Sequence, residues 1–250
     1  MLSDLYVPNH LERNLETFLA LEETAQDLRL QAVYKKTYDY PGEFIDGYHQ
    51  WLSRCRKHSY HMIDIGIEGW LFPADALKLY ELAYFSGDIL EIGTYKGLST
   101  TVMANAIFNS GRQRHIITCD LDPVSVAEAR IGFRIRNVPG RDLHHFFPFE
   151  GTEFVKHLGA HQRRFSFVFV DHSHDYEHVL GVCQNLPLVT EPGAFVLFHD
   201  YNDPRNLKHI ENYGVYQGVS DGLDKSIFDF FGVFGCTGLF RRREGAGANP

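Results

Sequence analysis

From Gly87 onward the chain alternates short apolar runs with amphipathic stretches, and few folds accept that rhythm. Ile89 to Ile92, His115 to Cys119, His144 to Phe149, Phe165 to Val170 and Ala194 to Phe198 read as strands. Leu98 to Phe108, Val124 to Phe133, Thr152 to Leu158 and Tyr176 to Leu188 read as the helices between them. Such alternation implies right-handed βαβ crossovers, and so an α/β fold with a doubly wound, mostly parallel, Rossmann-like sheet. Ile227 to Val233 and Gly238 to Arg241 are too close across Phe234-Gly235 for a crossover. They predict an antiparallel C-terminal hairpin at a sheet edge.

Residues 1–72 are different: polar, rich in aromatics and without a convincing strand. Leu15, Phe18, Leu19, Leu21, Leu28 and Leu30 favour a helix within Leu11 to Val33, and Tyr38 to Gly42 reads as a loop. Pro73 can open a further helix running to about Phe85. The expected organisation is a mainly helical N-terminal extension over 1–72, one α/β domain over 73–243 and a flexible tail over 244–250. The extension, with Trp51 and Trp70, would either cap a substrate pocket as a lid or bury a homo-oligomer contact.

With 250 residues, 44% of them hydrophobic and 22% charged, the chain can bury one sizeable core. A net charge of −8 argues against nucleic acid held on a broad basic surface. The run Arg241, Arg242, Arg243 reads as a solvated end to the last strand. Cys55, Cys119, Cys183 and Cys236 form no C-x-x-C pair, and Cys119 and Cys183 sit in apolar segments as buried free thiols do. Together with the lack of a leader-like start, this predicts a cytoplasmic protein. No apolar run approaches a membrane span.

The segment from Asp88 to Thr101, DILEIGTYKGLSTT, ends a strand at Glu91-Ile92, turns at Gly93 and passes Gly97 into a helix. Glycine lets a backbone turn sharply and approach a ligand, and in a doubly wound sheet this turn faces the ligand crevice. Spacing excludes two common ligands. A dinucleotide fingerprint needs glycine where Tyr95 stands, and no Gly-Lys-Ser/Thr follows for a P-loop. E-x-G-x-x-x-G-x-S suits a ligand with an amino-acid end: Glu91 organises the turn, while Ser99 and backbone amides can receive a carboxylate. The next strand ends at Asp120, placed to accept both hydroxyls of a ribose. Asp122, directly before Pro123, reads as a helix cap.

ILEIGTYKGLST followed by CDLDP resembles the class I S-adenosylmethionine methyltransferases, in particular the catechol- and caffeoyl-coenzyme-A-type and macrolide sugar O-methyltransferases. The resemblance spans roughly Gly87 to Arg243, within the expected domain 73–243. It implies S-adenosylmethionine as cofactor, with Gly93 and Ser99 on its methionine part, Asp120 on its ribose, and Glu91, Thr94, Tyr95, Gly97 and Asp171 also among the residues that bind it. Glu150, Gly151 and Thr152, at the end of the third strand, would lie near adenine.

Asp171 stands where the fourth strand runs out, and Asp200 follows the fifth in His199-Asp200-Tyr201-Asn202. Two carboxylates at adjacent strand ends commonly hold a hard divalent cation. In the metal-dependent O-methyltransferases, acids matching Asp171 and Asp200 bind magnesium or a similar ion, which draws in the acceptor hydroxyl. The macrolide sugar enzymes carry an Asp-x-x-His whose histidine is the general base, and His174 matches it. The match has a gap: catechol-type enzymes place asparagine directly after the second acid, and here Tyr201 precedes Asn202. The third ligand is therefore open, with His199 one option and a metal-free site another.

The resemblance implies that His172 packs beside the cofactor, while His178 reads as an exposed helical residue. A rival grouping of His172, His174, His178 and His199 on zinc or iron lacks the aspartate of H-x-H-x-D-H, since Tyr176 stands there. The implied activity is methyl transfer to a small-molecule hydroxyl, such as a sugar or natural-product intermediate. The alternatives are a cofactor-binding subunit assisting a partner enzyme and a non-methylating reaction on the same fold.

Overall fold

The computed structural model describes residues 56–57, 62–203, 205–208 and 212–245. The helix expected within Leu11 to Val33, the loop at Tyr38 to Gly42, Trp51, Cys55 and the last residues of the tail lie outside them.

Seven strands form one sheet in the order β5-β4-β3-β6-β7-β9-β8. Here β3 is Ile89–Ile92, β4 Ile116–Asp120, β5 His144–Pro148, β6 Phe165–Val170, β7 Thr190–Phe198, β8 Phe228–Phe234 and β9 Thr237–Arg242. The β5-β4, β4-β3, β3-β6 and β6-β7 pairs are parallel, and β7-β9 and β9-β8 are antiparallel. Buried on both faces, the central strands are near-continuous apolar runs such as FSFVFV in β6. Their alternate residues feed two cores: Ile89, Phe167 and Phe169 on one face, Leu90, Ile92, Val168 and Val170 on the other.

The crossover helices are α2 (Leu98–Asn109), α3 (Pro123–Ile135), α4 (Gly151–Ala160) and α5 (Tyr176–Val189), preceded by α1 (Pro73–Phe85). Asp122 caps α3 as read, accepting from the amides of Val124 (3.0 Å) and Ser125 (3.1 Å). The sheet order reverses at β3, which pairs with β4 on one side and β6 on the other. That reversal opens a crevice at the strands' carboxyl ends.

Four features depart from the sequence reading. Before Pro73, β1 (Arg56–Lys57) pairs antiparallel with β2 (Ile63–Asp64), a ladder too short to leave an alternating pattern. β7 begins at Thr190, not Ala194: it passes through Pro192-Gly193 as an irregularity, with Phe165 opposite Thr190 and Phe167 opposite Phe195. Two helices follow it, α6 (Arg205–Lys208) and α7 (Val215–Gly222), and α7 packs beside α5. Finally, Arg242 is no solvated residue. It is 5% exposed, and its guanidinium donates to the carbonyls of Pro187 (2.9 Å) and Thr190 (2.5 Å), tying β9 to the end of α5. Arg243 does stay outside, paired with Asp229 at 2.9 Å.

Cys119 and Cys183 are buried free thiols, as read, and Cys236 joins them. Phe228, on β8, packs into the core. Among the described residues no helix is long and apolar enough to cross a membrane.

Candidate active site

A cavity of about 620 Å³ opens at the switch point between β3 and β6. Its first wall is the turn after β3. Gly93 has φ +105°, and a Cβ there would lie 1.9 Å from the Asp171 carbonyl oxygen, so only glycine fits. Its amide and that of Thr94 donate to the Cys119 carbonyl at 2.8 and 3.1 Å, locking the turn to β4. Tyr95 adopts a left-handed φ of +43°, and Gly97, at φ +83°, begins α2.

Glu91 lies beneath this turn, wholly buried, and accepts from the hydroxyls of Ser99 and Thr100. Burial pushes its carboxyl up to about 7, although these hydroxyls pull the other way. Ser99 lines the cavity, but its hydroxyl proton is already given to Glu91. The free donors facing a ligand are thus the first backbone amides of α2, which have no intrahelical acceptor.

Asp120 and Glu150 continue the wall at the ends of β4 and β5. Asp120 accepts from the amides of Tyr95 (2.8 Å) and Asp122 (3.0 Å), each oxygen keeping a lone pair for the cavity. Glu150 caps α4 through the amides of Thr152 (2.9 Å) and Glu153 (2.8 Å). Gly151 lines the cavity with a Cβ position 3.0 Å from the His172 ring. Among the described residues His172 Nε2 has no hydrogen-bond partner and is shielded from solvent, and burial lowers the imidazole to about 4. Gly93, Thr94, Tyr95, Ser99, Asp120, Glu150, Gly151, Asp171, His172, His174 and Asp200 therefore share one cavity. Glu91, Gly97 and Thr152 do not line it. Glu91 supports the turn, Gly97 packs on Phe133, and Thr152 faces Gly181 of α5.

The opposite wall sets carboxylates against imidazoles. Asp171 follows β6, His174 lies in the loop before α5, and Asp200 follows β7 with a left-handed φ of +54°. Backbone strain in a residue other than glycine persists only where its surroundings enforce it. His174 Nε2 lies 3.1 Å from Asp200 Oδ2 and 3.9 Å from Asp171 Oδ1.

His199 is buried behind them, its Nδ1 3.1 Å from Asp171 and 3.5 Å from Asp200, its Nε2 3.8 Å from Asp75. Burial opposes its protonation, but the charges of Asp171 and Asp200 outweigh burial and hold its pKa well above the ordinary value. Burial likewise works to raise Asp200, but the His199 charge and hydrogen bonds from His174, His199 and Tyr213 keep it well below the usual range. Asp200 also receives the Tyr213 hydroxyl and, at 3.2 Å, the Cys236 thiol.

Several of these residues carry no motif. Asp75 on α1 is fully buried and accepts from the amides of Phe72 (2.8 Å) and Cys236 (2.6 Å), joining helix and hairpin behind His199. Residues 68–72 line the cavity as well: Trp70 stacks on Tyr95, whose hydroxyl donates to Glu68 at 2.7 Å. His178 is exposed as read, yet it lines the cavity too.

Residues 90–201 match the model of a family described as a methyltransferase domain. The match runs from β3 to the residue after Asp200, a little under half of this chain. Solved structures repeat its fold. An O-methyltransferase from Bacillus cereus in complex with SAH is 14% identical, with a TM-score of 0.56 over 92% of this chain and 100% of that one. TomG from Streptomyces achromogenes, an O-methyltransferase in complex with SAM, is 14% identical, with a TM-score of 0.55 over 83% and 92%. SAH-bound PaMTH1 from Podospora anserina is 18% identical, with a TM-score of 0.54 over 89% and 96%. No curated protein matches the sequence significantly. The chain thus shares the fold of these enzymes and has its cavity at the crevice that the strand order creates, with the Gly93 turn, Asp120 and Glu150 on one wall and Asp171, His174 and Asp200 on the other.

Proposed function

We propose that the chain transfers a methyl group from S-adenosylmethionine to a hydroxyl oxygen of a small-molecule acceptor, such as a sugar or natural-product intermediate. The observation carrying this reading is one imidazole, His174, held beside two carboxylates in the cavity entered by the Gly93 turn. The cavity fits the cofactor: a backbone approach that only glycine permits at Gly93, free amides at the start of α2, and the Asp120 carboxylate one strand away. It also fits a divalent cation, because Asp171 and Asp200 offer carboxylate oxygens within 4.8 Å of each other, with the His174 imidazole alongside and left to act as base.

In this reading S-adenosylmethionine supplies an electrophilic methyl carbon on a sulfonium. A cation held by Asp171 and Asp200 would supply Lewis-acid polarisation of the acceptor oxygen. The amides of α2 receive the methionine carboxylate, and Asp120 receives the ribose hydroxyls. His174 accepts the hydroxyl proton at an imidazole nitrogen, and Asp200 stabilises the imidazolium that results. Orientation of the acceptor does the remaining work.

The test has two stages. Calorimetry with S-adenosylhomocysteine, after chelation and with or without magnesium, should give binding that the metal tightens. Absence of binding would overturn the reading, and binding indifferent to metal would remove the cation from it. Hydroxylated sugars and phenols are then offered with S-adenosylmethionine. A product heavier by one CH₂ is expected, and His174→Ala should lower kcat about 10²–10⁴-fold. Turnover unchanged in that variant would remove His174 as base.

A further inference from the structure

We infer that Tyr213 is the positioning residue for the His174 imidazole, and that Tyr213-Gly214 forms a clamp on the loop between β6 and α5. The inference rests on the reading of His174 as base, but its evidence is separate. Three contacts converge from one short segment. The Gly214 amide donates to the His174 carbonyl at 2.7 Å, fixing the backbone. The Tyr213 ring stacks on the His174 ring, with centroids 4.8 Å apart and planes 10° from parallel, fixing the imidazole's tilt. The Tyr213 hydroxyl donates to Asp200 Oδ2, the same oxygen that lies 3.1 Å from His174 Nε2.

One phenol thus holds the imidazole by its face and the carboxylate that faces its edge. On its own, His174 would be loosely held: its side chain is 39% exposed, and a loop histidine with that freedom samples several rotamers.

The clamp is backed from outside and below. Arg205 lies over the Tyr213 ring, its guanidinium carbon 4.1 Å from the centroid, and pairs with Asp203 at 2.9 Å. Guanidinium and imidazole therefore both lie against the same phenol ring. Gly214 has to be small, because a Cβ there would meet Tyr176 Cβ at 2.8 Å, so the segment can sit directly on the start of α5. Tyr213 is only 7% exposed, which gives the clamp the rigidity that the loop lacks.

A face-on aromatic ring shifts the proton signals of its neighbour upfield, and this reports the stack without any acceptor. In ¹H–¹³C spectra of histidine-labelled protein, with His174→Gln assigning the signal, the His174 ring protons should be shifted upfield. They should stay so in Tyr213→Phe, return toward the free value in Tyr213→Leu, and broaden in Arg205→Ala. Titration with S-adenosylhomocysteine checks that each variant is folded. An unshifted His174 signal in the unaltered protein, or one that Tyr213→Leu leaves in place, overturns the clamp. Should Tyr213→Leu not fold, persistence of an unchanged, sharp signal in Arg205→Ala does so.

On an acceptor that the methylation assay turns over, Tyr213→Leu should lower kcat about 100-fold with KM unmoved, and Tyr213→Phe should restore most of it. If no acceptor is methylated, or His174→Ala stays active, the proposed function falls while the ring signal still decides the clamp.

Discussion

Beside β3 and β4 the cavity is lined largely by backbone: Gly93 against the Asp171 carbonyl, the Tyr95 amide on Asp120, and the opening amides of α2. Beside β6 and β7 it is lined by side-chain charge, with Asp171, Asp200, His174 and His199 within 4 Å of one another in a chain of contacts. The first wall is set by steric necessity and tolerates no added atom. The second is set by mutual compensation, since each buried charge is held by others brought from distant segments. The largest expected effect follows from that contrast. Gly93→Ala forces a Cβ to within 1.9 Å of a carbonyl oxygen at a φ of +105°, and should cost on the order of 4 kcal/mol while abolishing S-adenosylhomocysteine binding. Urea unfolding gives the first quantity and calorimetry the second. A loss under 1 kcal/mol would mean that the turn yields, and the contrast between the walls would collapse.

The same contrast decides what can be read from the sequence. Steric turns leave local marks: Glu91, Gly93, Gly97 and Ser99 stand at fixed spacing in and after an apolar run, and Asp120, Asp171 and Asp200 stand at or just past the end of a strand. Compensation leaves none. Asp75, Tyr213 and Cys236 meet at or behind Asp200 from three separate segments. No window of sequence contains them together. α7 escapes notice for a related reason. Its VYQGVSDG has two glycines where helix propensity would want other residues, and those glycines are needed because Val179 and Cys183 of α5 lie within 2.8 Å of their Cβ positions. Tertiary contact overrides propensity there. Ser99 shows the limit from the other side: its position follows from the motif, but the donation of its proton to Glu91 emerges only in the fold.

The backbone wall hides one titrating group, and pH should expose it. Glu91 ordinarily ionises near 4.5, but burial raises it to about 7 in the fold. Below 4.5 the carboxyl is neutral in both folded and unfolded chains, and its contribution to stability is complete. Between 4.5 and 7 the unfolded chain releases this proton first, so that contribution is lost as pH rises, by about 3 kcal/mol in all. Glu91→Gln cannot ionise. Between pH 4 and pH 8 it should therefore lose about 3 kcal/mol less stability than the unaltered protein. Comparing the two chains cancels groups of opposite slope, such as His144, whose burial lowers it to about 4 and which costs stability as pH falls from 6.5. Equal losses by the two chains, from urea melts at pH 4 and pH 8, would show that folding leaves the ionisation of Glu91 unshifted.

The smallest effect separates two caps that look alike. Asp122 and Glu150 each follow a strand of the backbone wall and each accept two amides at the start of a helix. Only Glu150 lines the cavity. Replacing Glu150 with alanine should cost about 1 kcal/mol of stability, the usual worth of an N-cap, and Asp122→Ala should also lower stability. If Glu150 also meets the cofactor, its variant alone should weaken S-adenosylhomocysteine binding, measured by calorimetry, while Asp122→Ala leaves it unmoved. Equal affinities would reduce Glu150 to a cap, and recognition at that end of the cavity would pass to Gly151 and the unpartnered Nε2 of His172. Gly151 and His172 meet where the two walls join, so the result also decides on which side of the cavity the proposed adenine site is built.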